Sequence, residues 1–540
     1  MLAGALHAGP VPSARAAEAA GTPSPAAVQE ARTPERALRI AVRAMARTAD
    51  PHVTSTVTSY QLMDHLHAPL VVEDDRLQVR PALAERWEAA GDGAWRFTLR
   101  QGVVFQDGSA LDAADVAYSF CRVLNVAADP DSMAPAVADL AAVEPVDART
   151  VLLRFHHAVP ALPDAATTVP IIAAPPEAEP VFDGKGGCAV DPMPASADFD
   201  EGRLSVGAGP YRLLSFGAGG AVMVRNDLYW GPRPPWDRVE FRPMPAQEQM
   251  RALLEGSVDL IDAVLPSAAD YLRQRGMHVA SAPSNTLVYL QFNRAATGPL
   301  ADERVRRALA GVLDRRLVVE RALGGFGTPT ESPLLPSTPG VGPVQGLMPM
   351  MDVAEARRLL AEAGLPDGFE ARLVVPGSLA RVAEVVAYAF DRIGVKVSVA
   401  ASDSATASAR IDRGEYDMSI KGWMMSPLDE PRAMRGLVRV RGTAEDGHGD
   451  LPELDALLAD AARLPASAER RALMRRAEAL MAERVAMVPL FFAHGRWGLR
   501  PGLVFRPRLD RVVHAWNVFP TPDYVPIDEG MPVPILTRAR

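Results

Sequence analysis

Residues 421–431 read KGWMMSPLDEP. The stretch is too short and too interrupted by proline for a helix, and too rich in bulky side chains for a passive linker. It is either core ending in a turn or the wall of a pocket. As a wall, its chemistry is recognition: Trp423 offers a stacking face, Met424 and Met425 an adaptable apolar surface, Ser426 a hydroxyl and Asp429 a carboxylate. A second stretch, TLVYLQFNR (286–294), reads as a strand. Its period of two puts Val288, Leu290 and Phe292 on one face and Tyr289, Gln291 and Asn293 on the other. That polar row lines a cleft or belongs to a half-solvated edge strand.

Bond-making chemistry finds less support. The chain has no GxSxG, HExxH or GxxxxGK[ST] pattern. The GxG at 207–209 is followed by Pro210 and Tyr211, so it reads as a turn into a strand. His65-Leu-His67 and His156-His157 lack a third ligand at useful spacing, and no metal or cofactor is expected. Cys121 and Cys188 read as two free thiols, with a bridge as the alternative in an oxidising compartment.

The elements that must hold these groups come from a chain of 540 residues with a net charge of −9 and 48 prolines. That length suggests several domains, and the charge argues against binding nucleic acid or an anionic membrane. No run reaches the ~20 apolar residues of a membrane span. Residues 1–36 are Ala/Pro-rich. A-x-A patterns at Ala14–Ala16 and Ala17–Ala19 follow a short apolar start without early Lys or Arg, so the segment reads as the remnant of a secretory signal or a disordered arm. RIAV (39–42), WRFTLR (95–100), TVLLRF (150–155) and AVMVRN (221–226) predict strands. LDAADVAYSFCRVL (111–124) predicts a helix capped by Asp112, with Asp115 favoured by the helix dipole. VRRALAGVLDRRLVVERAL (305–323) predicts one amphipathic helix, DVAEARRLLAEAG (352–364) another capped by Asp352 and closed by Gly364, and residues 466–485 a third.

Several of these stretches occur in an order that resembles the extracytoplasmic solute-binding proteins of family 5, the peptide/nickel group that serves ABC importers. They are ADPHVTST (49–56), LAERWEAAGDGAWRFTLRQGVVFQDGSALDAADVAYSF (83–120), GAGPYRLLSF, RNDLYWGPRPPWDRVEF (225–241), FNRAATGPLADERVRRALAGVLDR (292–315) and ARRLLAEAGLPDGF (356–369).

The resemblance implies an α/β, two-lobed periplasmic-binding-protein type II fold with an extra mixed α/β subdomain. The expected division is 37–70 with 207–283 and 496–540 as one lobe, 71–206 as the inserted subdomain and 284–495 as the other lobe. It implies a receptor that captures a peptide-like or other small polar solute between the lobes and delivers it to an ABC permease, as an extracytoplasmic monomer without enzymatic activity. Ligand-binding candidates are Thr54 and Ser55 after the first strand, the Tyr289, Gln291, Asn293 row, and Trp423, Met425, Ser426 and Asp429. In peptide-binding members an Asp that meets the peptide ammonium follows the Gly-Trp pair. Here Ser426 stands at that place, which puts peptides with a free N-terminus in doubt. Leu451 also stands where the family has Asn. A metal-chelate receptor of the nickel type and a hydrolase with an unrecognised site are the alternatives.

Overall fold

The structure is a computed structural model that describes residues 36–522, except 55, 92, 127–132, 161, 164, 205, 295–297, 336–345, 426–429, 439–450 and 466. Its frame is an eleven-stranded sheet. The order across it is Tyr211–Gly217, Gly220–Arg225, Arg238–Pro243, Ala37–Val42, Leu260–Ile261, Met487–Leu499, His278–Phe292, Met418–Met424, Phe369–Pro376 and Val395–Ser402, with Gly327–Pro329 also paired to Met487–Leu499.

Two strands are much longer than the rest. His278–Phe292 and Met487–Leu499 run antiparallel from His278 opposite Leu499 to Gln291 opposite Met487. Their register shifts between Pro283 and Leu287, where proline has no N–H to give the ladder. On one side of the shift Leu260 and Ile261 pair with Leu499 and Gly498. On the other side Thr286–Phe292 pair with Met418–Met424.

Each end of this pair has its own core. Leu38, Ile40, Leu62, Trp236, Phe241 and Trp497 pack at one end. At the other, the sheet is covered on both faces. Val288, Leu290 and Phe292 meet Leu309, Leu360 and Phe390 of the helices Glu303–Gly311, Val353–Glu362 and Ala380–Asp391. Leu287 and Tyr289 meet Met434, Leu458 and Met481 of Glu430–Val438, Pro452–Ala462 and Ala468–Glu483. The row Tyr289, Gln291, Asn293 is therefore buried in a central strand, not set along a cleft or a solvated edge. Asn293 Nδ2 donates to the Tyr416 carbonyl at 3.0 Å, and burial pushes the Tyr289 phenol well above its ordinary pKa.

A third core belongs to a four-stranded antiparallel sheet of Ala84–Ala89, Ala94–Leu99, Thr150–Phe155 and Leu140–Asp147, covered by the helix Ala113–Asn125. Phe97 and Leu99 face it as their alternation predicts. Each such side chain contributes about 1.5–3 kcal/mol on burial. Asp112 and Asp115 form a reciprocal capping box at the helix start. The segment 305–323 departs from its prediction. It is two helices, Glu303–Gly311 and Arg315–Leu323, because Asp314 turns back to accept from the N–H groups of Arg316 and Leu317 and so starts a second helix. Pro452–Ala462 begins without a side-chain cap, since Leu451 at that position has no acceptor.

The DPH segment anchors the inserted region. The Asp50 carboxylate takes both guanidinium nitrogens of Arg122 at 2.7 and 2.6 Å, the Ser196 hydroxyl at 2.7 Å and the His52 N–H at 3.0 Å. Both members of the pair are fully buried, so their desolvation is offset only by this full set of bonds. Burial alone would raise the Asp50 carboxyl, but Arg122 holds it below its ordinary value. One residue from Arg122, Cys121 is joined to Cys188 by a disulfide, with Cα atoms 5.5 Å apart. The expectation of free thiols is thus corrected. The two residues lie 67 apart in sequence, and only the fold brings them together.

Asp50→Ala leaves Arg122 buried and uncompensated and is expected to destabilise the chain by about 3–5 kcal/mol. Replacing both cysteines by serine is expected to cost about 2–4 kcal/mol. Urea denaturation of each variant measures both.

Candidate functional site

Two of the motifs that carry the family resemblance form scaffolding for a cavity. Gly207 and Gly209 lie against the end of the helix Val57–Leu66; a Cβ on Gly207 would sit 2.1 Å from the Leu66 carbonyl oxygen. Asn226 ties this turn from the other side. Its N–H donates to the Pro210 carbonyl and its Nδ2 to the Gly209 carbonyl, both at 2.9 Å. Trp230 Nε1 donates to the Ala208 carbonyl at 3.1 Å. The G-x-GPY and RN-x-x-Y-W-G stretches therefore hold Pro210, Tyr229 and Trp230 in place as one wall.

That wall belongs to a cavity of about 610 Å³. Tyr60, Asp64 and His67 come from the helix Val57–Leu66 and its end, and Glu73, Asp74, Asp75 and Leu77 from the hairpin of Val71–Glu73 with Val79–Pro81. Arg506, Arg508, Asp510, His514 and Trp516 come from near the C-terminus, Asn285 from the long strand at its register shift, and Met424 and Met425 from the end of the strand Met418–Met424. The cavity thus draws on both ends of the long strand pair and on the inserted subdomain.

Its polar groups are linked. His514 Nε2 donates to Asp64 Oδ2 at 2.7 Å, and the imidazole stacks on Trp516 with ring centroids 4.2 Å apart. Arg508 pairs with Asp510 through Nε at 3.0 Å and donates from Nη1 to the Glu73 carbonyl at 3.0 Å. The Asn285 N–H donates to the Leu509 carbonyl at 2.8 Å, and the Asn285 carbonyl accepts from the Met425 N–H at 2.9 Å. Leu77 extends from the hairpin into the core that holds Leu287, Tyr289, Met425 and Met434. It does so with φ at 59°, a left-handed conformation that costs a non-glycine residue about 1–2 kcal/mol.

The residues singled out in the sequence divide unevenly. Met425 lines the cavity. Trp423, 37% exposed, is outside its lining; its indole lies over Gly436, where a Cβ would come within 2.7 Å of the ring. Thr54 is buried and hydrogen-bonded to Ser59, at the start of the helix that Thr56 caps. Tyr289, Gln291 and Asn293 are in the core. Ser55, Ser426 and Asp429 lie outside the described residues.

Sequence reasoning missed Asp64, Glu73, Asn285, Arg508 and His514. The alternation of Arg, Asp and His in RPRLDRVVHAW (506–516) was a signal of polar structure, but not of its partner. His65 spends its nitrogens on the Gln61 carbonyl and the Ala515 N–H. Among the described residues no three His, Cys, Asp or Glu side chains gather as a metal site would require, and no helix is long and apolar enough to cross a membrane.

Comparison with known proteins agrees with this geometry. The profile described as "Bacterial extracellular solute-binding proteins, family 5 Middle" matches residues 78–444, more than half of the chain. The heme-binding protein A of Haemophilus influenzae is 27% identical over 470 residues, covering 78% of this chain and 80% of the relative. The glutathione-binding protein GsiB of Salmonella typhimurium is 27% identical over 404 residues, covering 72% and 74%. In fold, the chain is similar to the ABC transporter substrate-binding protein CtaP of Listeria monocytogenes, with a TM-score of 0.77 at 21% identity over 90% of this chain and 99% of that one. It is also similar to NikA of Brucella suis in complex with Fe(III)-EDTA, with a TM-score of 0.73 at 22% identity over 90% and 100%.

His67 in the cavity wall is buried without a hydrogen-bond partner on either ring nitrogen among the described residues, and burial pushes it down to about 3. The folded chain keeps this imidazole neutral, whereas the unfolded chain protonates it near 6.5. Its contribution to stability is therefore complete above pH 6.5 and shrinks as the pH falls toward 3. His67→Gln is expected to flatten the fall in unfolding free energy between pH 6 and 4 by about 1.4 kcal/mol per pH unit. Urea titrations at several pH values measure that slope.

Proposed function

Because the chain belongs to the bacterial extracellular solute-binding proteins of family 5, a family whose members serve ABC importers, we propose that it captures a small polar solute in the cavity between its lobes and hands it intact to a permease outside the cytoplasmic membrane, acting as a monomer. The observation that carries this reading is the composition of the cavity wall: helix Val57–Leu66 and the 506–517 segment on one side, Asn285, Met424 and Met425 on the other, with the long strand pair between them.

Such a receptor works by differential affinity. The open form touches the solute with one lobe and the closed form with both, so the solute shifts the equilibrium by the contacts that only closure adds. Three of the cores follow the expected division into two lobes and a subdomain, with Ala68, Leu70 and Ala208 packing across into the core of the subdomain and Leu77 and Leu509 into that of 284–495. Binding needs no catalytic residue, metal or redox cofactor. Relatives whose names state heme and glutathione as ligands differ widely in what they bind, so the solute follows from this chain's own cavity. A peptide-like solute remains within the reading, held by Met424, Met425 and, on closure, Trp423.

Protein purified from its native compartment is expected to carry one solute per chain and to return it chemically intact after denaturation, as read by mass spectrometry. Release of cleaved fragments from an intact input would instead identify a hydrolase. Trp423→Ala is expected to weaken solute affinity by about three- to tenfold, the order of one stacking contact, and to leave the melting temperature of the solute-free chain nearly unchanged. A large drop in that melting temperature would assign Trp423 to packing alone.

A further inference from the structure

Several buried arginines of this chain each have an acid at hand: Arg122 has Asp50, Arg470 has Glu430 and Arg508 has Asp510. Arg43, Arg496 and Arg511 gather without one each. Arg43 directly follows the strand Ala37–Val42, and Asp262 directly follows Leu260–Ile261, the parallel strand beside it. The Arg43 N–H donates to Asp262 Oδ2 at 3.3 Å. Arg496 stands opposite Ser281 in the long strand pair, and its Nε donates to the Val264 carbonyl at 2.7 Å. Arg511 stands between Asp510 and Val512, which both line the cavity. Among the described residues no ion pair joins the side chain of any of these three arginines to a carboxylate.

The acids nearby are already engaged. Asp262 accepts from Gln249 Nε2 at 2.9 Å as well as from the Arg43 N–H, and both oxygens of Asp510 take Arg508 Nε at 3.0 Å. His494, which also faces Arg496, is bonded to the Thr328 hydroxyl and brings no negative charge. The guanidiniums therefore act on one another. Burial, then repulsion by Arg43 and Arg511, lowers Arg496 to about 10. Burial and Arg43 also lower Arg511, against the pull of Asp262 and Asp510. Like charges held together in a partly desolvated place are destabilising until an anion comes between them.

Three further features direct this group toward a ligand. Arg43 is exposed and Arg496 and Arg511 are half-buried, so the group is open to solvent. It sits at the carboxyl ends of two parallel strands, the edge at which open α/β sheets bind ligands. Arg511 is held at φ 64°, a left-handed conformation that strains a non-glycine residue and that its surroundings must impose. The Arg496 guanidinium is also steadied from the other expected lobe, by the Phe326 ring at 5.3 Å from its centroid.

We infer that Arg43, Arg496 and Arg511 form an oxyanion site beside the cavity, which takes one carboxylate or phosphate group between guanidinium forks. The site goes beyond the solute-receptor reading. Its anion can come from two sources, an acidic group carried by the captured solute or a free anion bound alongside it.

The test is equilibrium dialysis of the full chain against radiolabelled inorganic phosphate at constant ionic strength, with succinate as the carboxylate competitor. One half of the protein keeps the solute it carries from purification. The other half is stripped in urea and refolded, and its melting temperature is checked. The stripped chain is expected to bind one phosphate, displaced by succinate. Binding to the stripped half alone assigns the site to an acidic group of the solute, and binding to both halves assigns it to a free anion. Arg43→Gln is expected to weaken phosphate binding about tenfold, the order of one charge-assisted contact, with little change in melting temperature. Arg43→Lys is expected to recover part of the loss. A stripped, folded chain that binds neither phosphate nor succinate saturably overturns the site. Undiminished binding in both Arg43→Gln and Arg511→Gln overturns the role of these arginines. The receptor reading is judged separately, by whether mass spectrometry finds a solute in the unstripped half.

Discussion

The antiparallel pairing of His278–Phe292 with Met487–Leu499 is the constraint on which the rest of the structure depends. The chain passes between the two principal cores within these strands, so their shared ladder sets both the connection and the direction in which one core can move against the other. At one end Leu499 and Gly498 also pair with Leu260–Ile261, and at the other, which has a smaller register shift between Val288 and Tyr289, Thr286–Phe292 also pair with Met418–Met424. The ladder is interrupted between Pro283 and Leu287. A sheet bends most easily where pairing is already lost, so a hinge between the halves is expected at the place the ladder breaks. Ser284 and Asn285 stay attached there through side-chain bonds to the Ala493 and Met425 carbonyls.

The hinge and the cavity share residues. Asn285 is both a strand residue at the register shift and a wall of the cavity. The hairpin that contributes Glu73 also sends Leu77 into the core beneath Met425. The inserted subdomain thereby touches the far half without a covalent link, and its other end is secured by the Asp50–Arg122 pair and the Cys121–Cys188 bridge.

Much of this was visible in the sequence, and the failures have physical causes. Ordered blocks such as the DPH segment and RNDLYWG carried the family resemblance, and each makes bonds that hold the fold: Asp50 to Arg122, and Asn226 to the Gly209 turn. Strand alternation placed Val288 and Tyr289 on opposite faces correctly, but a period of two does not say what covers a face. Helices from 430–483 cover the polar one, so a row that looked like a cleft is core. The helix expected over 305–323 broke because one Asp at 314 competes for backbone N–H groups better than the apolar stripe continues. The cavity itself was least visible. His514 and Asp64 are 450 residues apart, and no local pattern announces a partner at that distance.

The central claim is that solute capture closes one half of the molecule on the other about the long strand pair. Spin labels at Tyr388→Cys and Val504→Cys, exposed at 68% and 50% on opposite halves, measure it directly by pulsed electron–electron resonance. Adding the solute recovered from native protein is predicted to shift the distance distribution by more than about 2 Å, the scale of domain rearrangement on binding. A distribution that stays unchanged with the solute demonstrably bound would contradict the account.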